Sequence, residues 1–88
     1  MPTVFRIYTE NVNRKKEVLR VVAKKFENFT FQPTTGYFRG QPEKSVVIEI
    51  VNASKKDVAQ VAKRIRRING QKSVLVLGLQ ASVKKIAV

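Results

Sequence analysis

TTGYFRGQPEKS, Thr34 to Ser45, holds two of the chain's four glycines, one of its three prolines, the adjacent aromatics Tyr37 and Phe38, and Arg39. Glycine and proline at this density mark a turn. On its N-terminal side TFQPTTGYFRG (30–40) reads as strand interrupted by Pro33 and Gly36. Pro33 cannot donate to a ladder, so this strand lies at a sheet edge or carries a bulge. On its C-terminal side SVVIEIVN (45–52) is the clearest strand in the chain. The stretch therefore reads as a hairpin, and it divides the chain into two halves of about equal length.

Each half repeats one order. TVFRIYT (3–9) alternates and is rich in branched and aromatic residues, as a strand does. A helical stripe follows, with Val18, Val22 and Phe26 spaced by four, Leu19 and Phe29 beside them, and Asn13 placed to cap it. In the second half NASKKDVAQVAKRIRRINGQK (52–72) is the clearest helix. Ser54 and Asp57 have capping-box spacing, and Val58, Val61, Ile65 and Ile68 form its apolar stripe. Gly70 stands where a helix end favours a left-handed residue. SVLVLGL (73–79) is a last strand.

The order is strand, helix, strand, strand, helix, strand. This predicts an α+β fold, a ferredoxin-like βαββαβ sandwich, with a four-stranded antiparallel sheet and both helices on one face. The first and third strands fall in the centre. Residues 1–80 make a single domain, and 81–88 read as a C-terminal tail or short extra strand.

Alternation assigns the two sheet faces. Phe5 and Ile7, then Val46, Ile48 and Ile50, then Leu75, Leu77 and Leu79 are expected to meet the helices. The open face is expected to carry Arg6, Tyr8, Val47, Glu49, Val51, Val74 and Val76. Tyr37 and Arg39 are placed on that same face beside Tyr8 and Arg6.

Charge supplies the first functional expectation. The chain has 88 residues, 18 Lys+Arg against 6 Asp+Glu, a net charge of +12 and no cysteine or histidine. Self-repulsion on this scale points to a polyanionic partner. Lys16, Arg20 and Lys24 in the first helix and Lys56, Lys63, Arg64, Arg66, Arg67 and Lys72 in and after the second predict a broad cationic face. The expectation is a nucleic-acid-binding protein, DNA or RNA, that neutralises phosphates with little sequence preference.

Two alternatives stand beside it. One is an inhibitor or adaptor, phage- or host-encoded, that uses the basic face against an acidic protein surface of a nucleic-acid-processing complex. The other is a module sequestering a small anionic nucleotide, with Arg6, Tyr8, Tyr37 and Arg39 as its stacking and phosphate-binding side chains. The valine-rich open face suggests a homodimer through Val47, Val51, Val74 and Val76.

The residue inventory argues against an enzyme. Without histidine, cysteine or a phosphate loop no catalytic constellation forms, and so few carboxylates hold no metal. No cofactor is expected. Glu49 opposite Arg6 reads as a salt bridge across the central strands. No apolar run approaches the roughly 18 residues of a membrane span. No signal peptide is read at the N-terminus, and a cytoplasmic protein is expected.

The strand and helix order resembles RNA-recognition motif domains in architecture. Their aromatic signature would fall on SVVIEIVN, which has no aromatic. A more local resemblance lies in RIYTEN (6–11), FTFQPTTGYFRGQPEKSVVIEI (29–50) and INGQKSVLV (68–76). These are similar to a class of small uncharacterised bacterial and phage proteins with a Thr-Gly-aromatic hairpin. That resemblance implies the same fold and no particular activity.

Overall fold

The structure is a computed structural model in which residues 3–10 and 14–80 are described. The tail reading of 81–88 and the Asn13 cap lie outside the described residues. The elements are β1 (Thr3–Glu10), α1 (Lys15–Lys25), β2 (Thr30–Phe38), β3 (Gln41–Val51), α2 (Lys55–Asn69) and β4 (Leu75–Gln80). They form one antiparallel sheet in the order β2-β3-β1-β4. This is the ferredoxin-like α+β arrangement, with β1 and β3 in the centre.

The core lies between the sheet and the helices. Ile7, Ile48, Ile50, Val22, Val58 and Ile65 are fully enclosed, and Phe5, Val18, Val46 and Val61 complete the layer. Burying each such side chain is worth about 1.5–3 kcal/mol. The apolar stripes of α1 and α2 and the inward alternation of β1 and β3 therefore dictate how the layers stack.

The helix ends follow local chemistry. The Ser54 hydroxyl accepts from the Asp57 amide at 3.1 Å and opens α2. Gly70 closes it at φ 65°, where its amide reaches back to the last turn. Asn69 then pins α2 to the end of β1, donating to the Thr9 hydroxyl at 2.8 Å and the Glu10 carbonyl at 3.2 Å. Thr9, buried in an otherwise apolar core, donates in turn to Gln71.

The hairpin runs past the body of the sheet. β1 pairs with β3 only from Ser45 to Val51, so Gln41–Lys44 extend beyond it, with only β2 alongside among the described strands. Arg39 and Gly40 both have positive φ, 51° and 77°, between the closing pair Phe38 and Gln41. That is the signature of a two-residue type I′ turn, whose twist matches the flanking strands. Pairing passes through Pro33 and Gly36 without a bulge, and Pro33 sits on the edge strand.

Two face assignments are corrected. In β4, Val76 pairs with Ile7 and Gly78 with Phe5, so these two face the helices, and Val74 packs against the core. Leu75, Leu77 and Leu79 lie on the open face opposite Tyr8, Arg6 and Val4. The cause is the Phe5 ring, whose Cε1 lies 3.0 Å from where a Cβ on Gly78 would stand. Only the glycine-bearing side of β4 fits against it.

In β2, Tyr37 shares parity with Phe31 and Pro33, which pair with the core-facing Ile48 and Val46. Tyr37 is thus on the helix-side parity, beyond the helices' reach, and is 75% exposed.

Candidate functional site

The first candidate is the cationic helix surface. Lys16, Arg20 and Lys24 on α1 and Lys56, Lys63, Arg64 and Arg67 on α2 are exposed, as is Lys72 in the loop after α2. Part of this charge serves the helices themselves. Lys24 and Lys25 lie in the last turn of α1, and Arg66 and Arg67 in the last turn of α2. Cations there complement the helix dipole.

Arg66 also donates to the Gln71 carbonyl at 3.4 Å, and Arg14 to the Ile68 carbonyl at 3.3 Å. Arg14 pairs with Glu17 at 3.7 Å, and Lys25 with Asp57 at 3.4 Å. The basic excess is therefore partly a set of helix-end and interhelix contacts.

The second candidate, the quartet Arg6, Tyr8, Tyr37 and Arg39, does not assemble. Arg6 and Tyr8 are on the open face. Tyr37 lies five positions along β2 from Gln32, the residue level with Tyr8 and Val47, a run of about 16 Å, and on the other parity. Arg39 is in the turn, with its guanidinium 5.2 Å from the Phe38 ring centroid. Arg6 is already committed, since its Nε meets Glu49 Oε2 at 2.8 Å. The bonded Glu49 carboxylate, with Tyr8 nearby on the same strand face, raises the Arg6 guanidinium above its ordinary pKa. The cross-strand ion pair read from the sequence is present.

The open face itself is apolar around this pair. Val4, Val47, Val51, Tyr8, Leu75, Leu77 and Leu79 share it. Of the residues expected at a dimer interface, Val47 and Val51 are on this face and Val74 and Val76 are not, for the reason given by Phe5 and Gly78.

The third candidate was not singled out in the sequence. Between the first turns of α2 and the helix-side face of β4 runs a groove of about 610 Å³. Its floor and walls are Phe5, Val76, Gly78, Ala53 and Ala59, and Lys55 is its one charged lining residue. It exists because, among the described side chains, this side of β4 presents Val76 and Gly78, while α2 presents Ala59 opposite. A second, more polar depression of about 540 Å³ adjoins it through Ala53 and contains Asn28, Asn52, Ser54 and the Lys25–Asp57 pair.

The start of α2 separates the two depressions. Its first amides have no intrahelical acceptor, and Ser54 satisfies that of Asp57. One sequence signal pointed here. A glycine inside a strand marks a close approach, and Gly78 marks this wall.

Elsewhere, a gap bordered by Thr9, Lys15, Val18, Phe31 and Asn69 holds only about 10 Å³, room for one water and no ligand. Among the described residues no three of His, Cys, Asp and Glu gather into a metal site. Among the same residues no helix is long and apolar enough to cross a membrane.

No protein-family model matches the chain, and no curated protein sequence is similar to it. Solved structures do share its fold. A DUF3240 family protein from Shewanella baltica superposes with a TM-score of 0.70 at 9% identity, over 99% of this chain and 97% of that one. CPII, a nitrogen regulatory PII-like protein from Thiomonas intermedia K12 bound to ADP, AMP and bicarbonate, gives 0.65 at 12% identity over 99% and 98%. A phage SAM lyase in its apo state gives 0.59 at 21% identity over 94% and 92%. At these identities the likeness is one of fold.

The expectation of a nucleic-acid-binding protein is corrected by these neighbours. Beside the DUF3240 protein and the SAM lyase, the fold neighbours include the PII-like protein bound to nucleotides, a GlnK in complex with ATP and divalent cation tolerance proteins of the CutA type, and none is described as binding nucleic acid. The small-nucleotide alternative fits them better.

Proposed function

We propose that the chain is a small-molecule binding module that takes an adenine nucleotide in the groove between α2 and β4. One observation carries this reading. The groove has ligand size, apolar walls and a single cation, Lys55, on the first turn of a 15-residue helix. Ligand pockets fall in the range of about 300–1,000 Å³ and combine apolar walls with few polar groups. A flat base suits Phe5, Val76 and Ala59, and a phosphate suits Lys55 and the positive end of α2. The net charge of +12 draws anions to the whole surface and raises the rate of encounter. The adenine nucleotides in two of the fold neighbours, and SAM as the named substrate of a third, support an adenosine-bearing ligand.

Isothermal titration calorimetry with ATP, ADP, AMP and SAM tests the proposal. ATP is expected to bind best. Lys55→Ala is expected to weaken ATP by about tenfold to a hundredfold, the loss of a charge-assisted contact of roughly 1.5–3 kcal/mol. Ala59→Trp fills the groove from the exposed side of α2 and is expected to abolish binding with the melting temperature unchanged. Equal ATP affinity in Ala59→Trp, or no heat from any ligand at millimolar concentration, overturns the reading. Disappearance of SAM from the mixture, followed by mass spectrometry, replaces it with a SAM-consuming enzyme.

A further inference from the structure

We infer that β4 is a pairing edge, and that two copies of this chain join antiparallel through it into one continuous sheet. The argument begins with the two edges of the sheet, β2 and β4. The β2 edge is defended. Pro33 lies in its middle, Gln32, Thr34 and Thr35 are exposed and polar, and Lys15 Nζ covers the Phe31 ring at 5.6 Å. These are the devices that blunt edge-to-edge association. Among the described residues β4 has none of them. From Leu75 to Gln80 it carries no charge and no proline.

Its side chains are open on both faces. Leu75 is 63% exposed, Leu77 37% and Leu79 43% on one face, and Val76 38% on the other. The other edge strand, β2, exposes Tyr37 and Phe38 only at its hairpin end, past Pro33, whereas among the described strands β4 alone exposes apolar side chains along its length with no proline in the ladder. An unguarded apolar edge is a template for another strand.

Charge selects the partner's approach. A chain of +12 repels its own copies wherever lysine and arginine face outward. The β4 strip is free of charge, so two copies meet there at the least electrostatic cost. Lys72 lies before it. An isologous contact needs a self-complementary patch, and a charge-free strand edge provides one.

Parity and overlap together choose the register. Helices from both copies lie on one face of the joined sheet only if each β4 residue pairs with one of the same parity. A two-fold axis at Leu77 does this within the described strand. It sets Leu75 beside the partner's Leu79 on the open face and Val76 beside the partner's Gly78 on the helix face. Large meets small where Phe5 already crowds Gly78, and leucine meets leucine where there is room. The joined open face becomes one apolar strip.

The test is independent of the nucleotide proposal, since it reads mass and cross-linking without ligand. The chain has no cysteine, so Leu77→Cys introduces a single thiol at the axis. Two such residues directly opposite have Cβ atoms about 4.5–5.5 Å apart. Diamide oxidation of Leu77→Cys is expected to give a covalent dimer at least about tenfold faster than Val47→Cys, because paired thiols act at a millimolar-range effective concentration.

Sedimentation of the unmodified chain is expected to show a mass rising from 10.0 kDa towards twice that value with concentration. Leu77→Lys is expected to stay folded by circular dichroism and monomeric. A monomer at every concentration overturns the inference. So does faster cross-linking of Val47→Cys, which would place the contact on the open face, and so does a Leu77→Lys variant that still dimerises.

Discussion

β3 and β4 look alike as sequence and behave differently as structure. SVVIEIV and SVLVLGL are both runs of branched apolar residues at similar distances from a helix. In β3 every second residue, Val46, Ile48 and Ile50, is buried between β1, β2 and the helices. In β4 no residue from Leu75 to Leu79 is buried. The difference is position in the sheet. A central strand has neighbours on both sides and a helix layer above, so alternation alone decides its faces. An edge strand has one neighbour, and the side chain on that neighbour decides.

The comparison is broken most severely from the β3 side. Ile48 is fully enclosed and is cross-strand partner to both Ile7 and Phe31. Ile48→Ala is expected to cost about 2–5 kcal/mol, the sum of lost transfer energy and a cavity. Urea unfolding followed by circular dichroism measures it, as a fall in midpoint with unchanged slope. A loss below about 1 kcal/mol would mean that the core is not closed around β3 as described.

A second perturbation tests what orients β4. Gly78→Val puts a branched side chain where even a Cβ comes within 3.0 Å of the Phe5 ring. Overpacking of this kind costs about 1–3 kcal/mol. The same change in a Phe5→Leu background is expected to be neutral or stabilising, because valine suits a strand better than glycine once the ring is gone. The coupling between the two sites, read from a double-mutant cycle, isolates the contact. An additive cycle would remove Phe5 as the cause of the β4 orientation.

The same contrast explains what was legible in the sequence. Periodicity gave the six elements, and the Ser54 cap and Gly70 gave the limits of α2. The split order gave the sheet topology, because few arrangements join these elements with short connections. The faces of β1 and β3 followed from alternation. The face of β4 did not, because the larger leucines were assigned to the core by size. The deciding fact was a single glycine paired with a phenylalanine far away in sequence.

Tyr37 failed for a related reason. Parity counted from Phe31 through Pro33 places it correctly, because the pairing runs through the proline without a bulge, and a bulge there would reverse the face. Gly78 alone hinted at the groove, because Thr3, Ala53 and Gly78 meet only on closure of the sheet. The cationic helices were read correctly as exposed. Their assigned purpose was not, since charge identifies an attraction to anions without saying whether the anion is a polymer or a small molecule.

The smallest expected effect sharpens the comparison furthest. Leu75 is the most exposed of the large apolar side chains of β4. In an isolated chain Leu75→Ser removes little buried area, so unfolding at low micromolar concentration is expected to shift by no more than about 0.5 kcal/mol. A residue of similar size in β3 costs several times that. If β4 pairs with a second copy, Leu75 lies opposite the partner's Leu79, and the effect becomes dependent on concentration. The unmodified chain then gains stability as it is concentrated, by mass action on the folded state. Leu75→Ser does not follow it. Melting temperatures taken over a hundredfold range of concentration read this directly. Two curves that rise together would mean that Leu75 lies outside any contact, and two flat curves would mean that the edge stays unpaired.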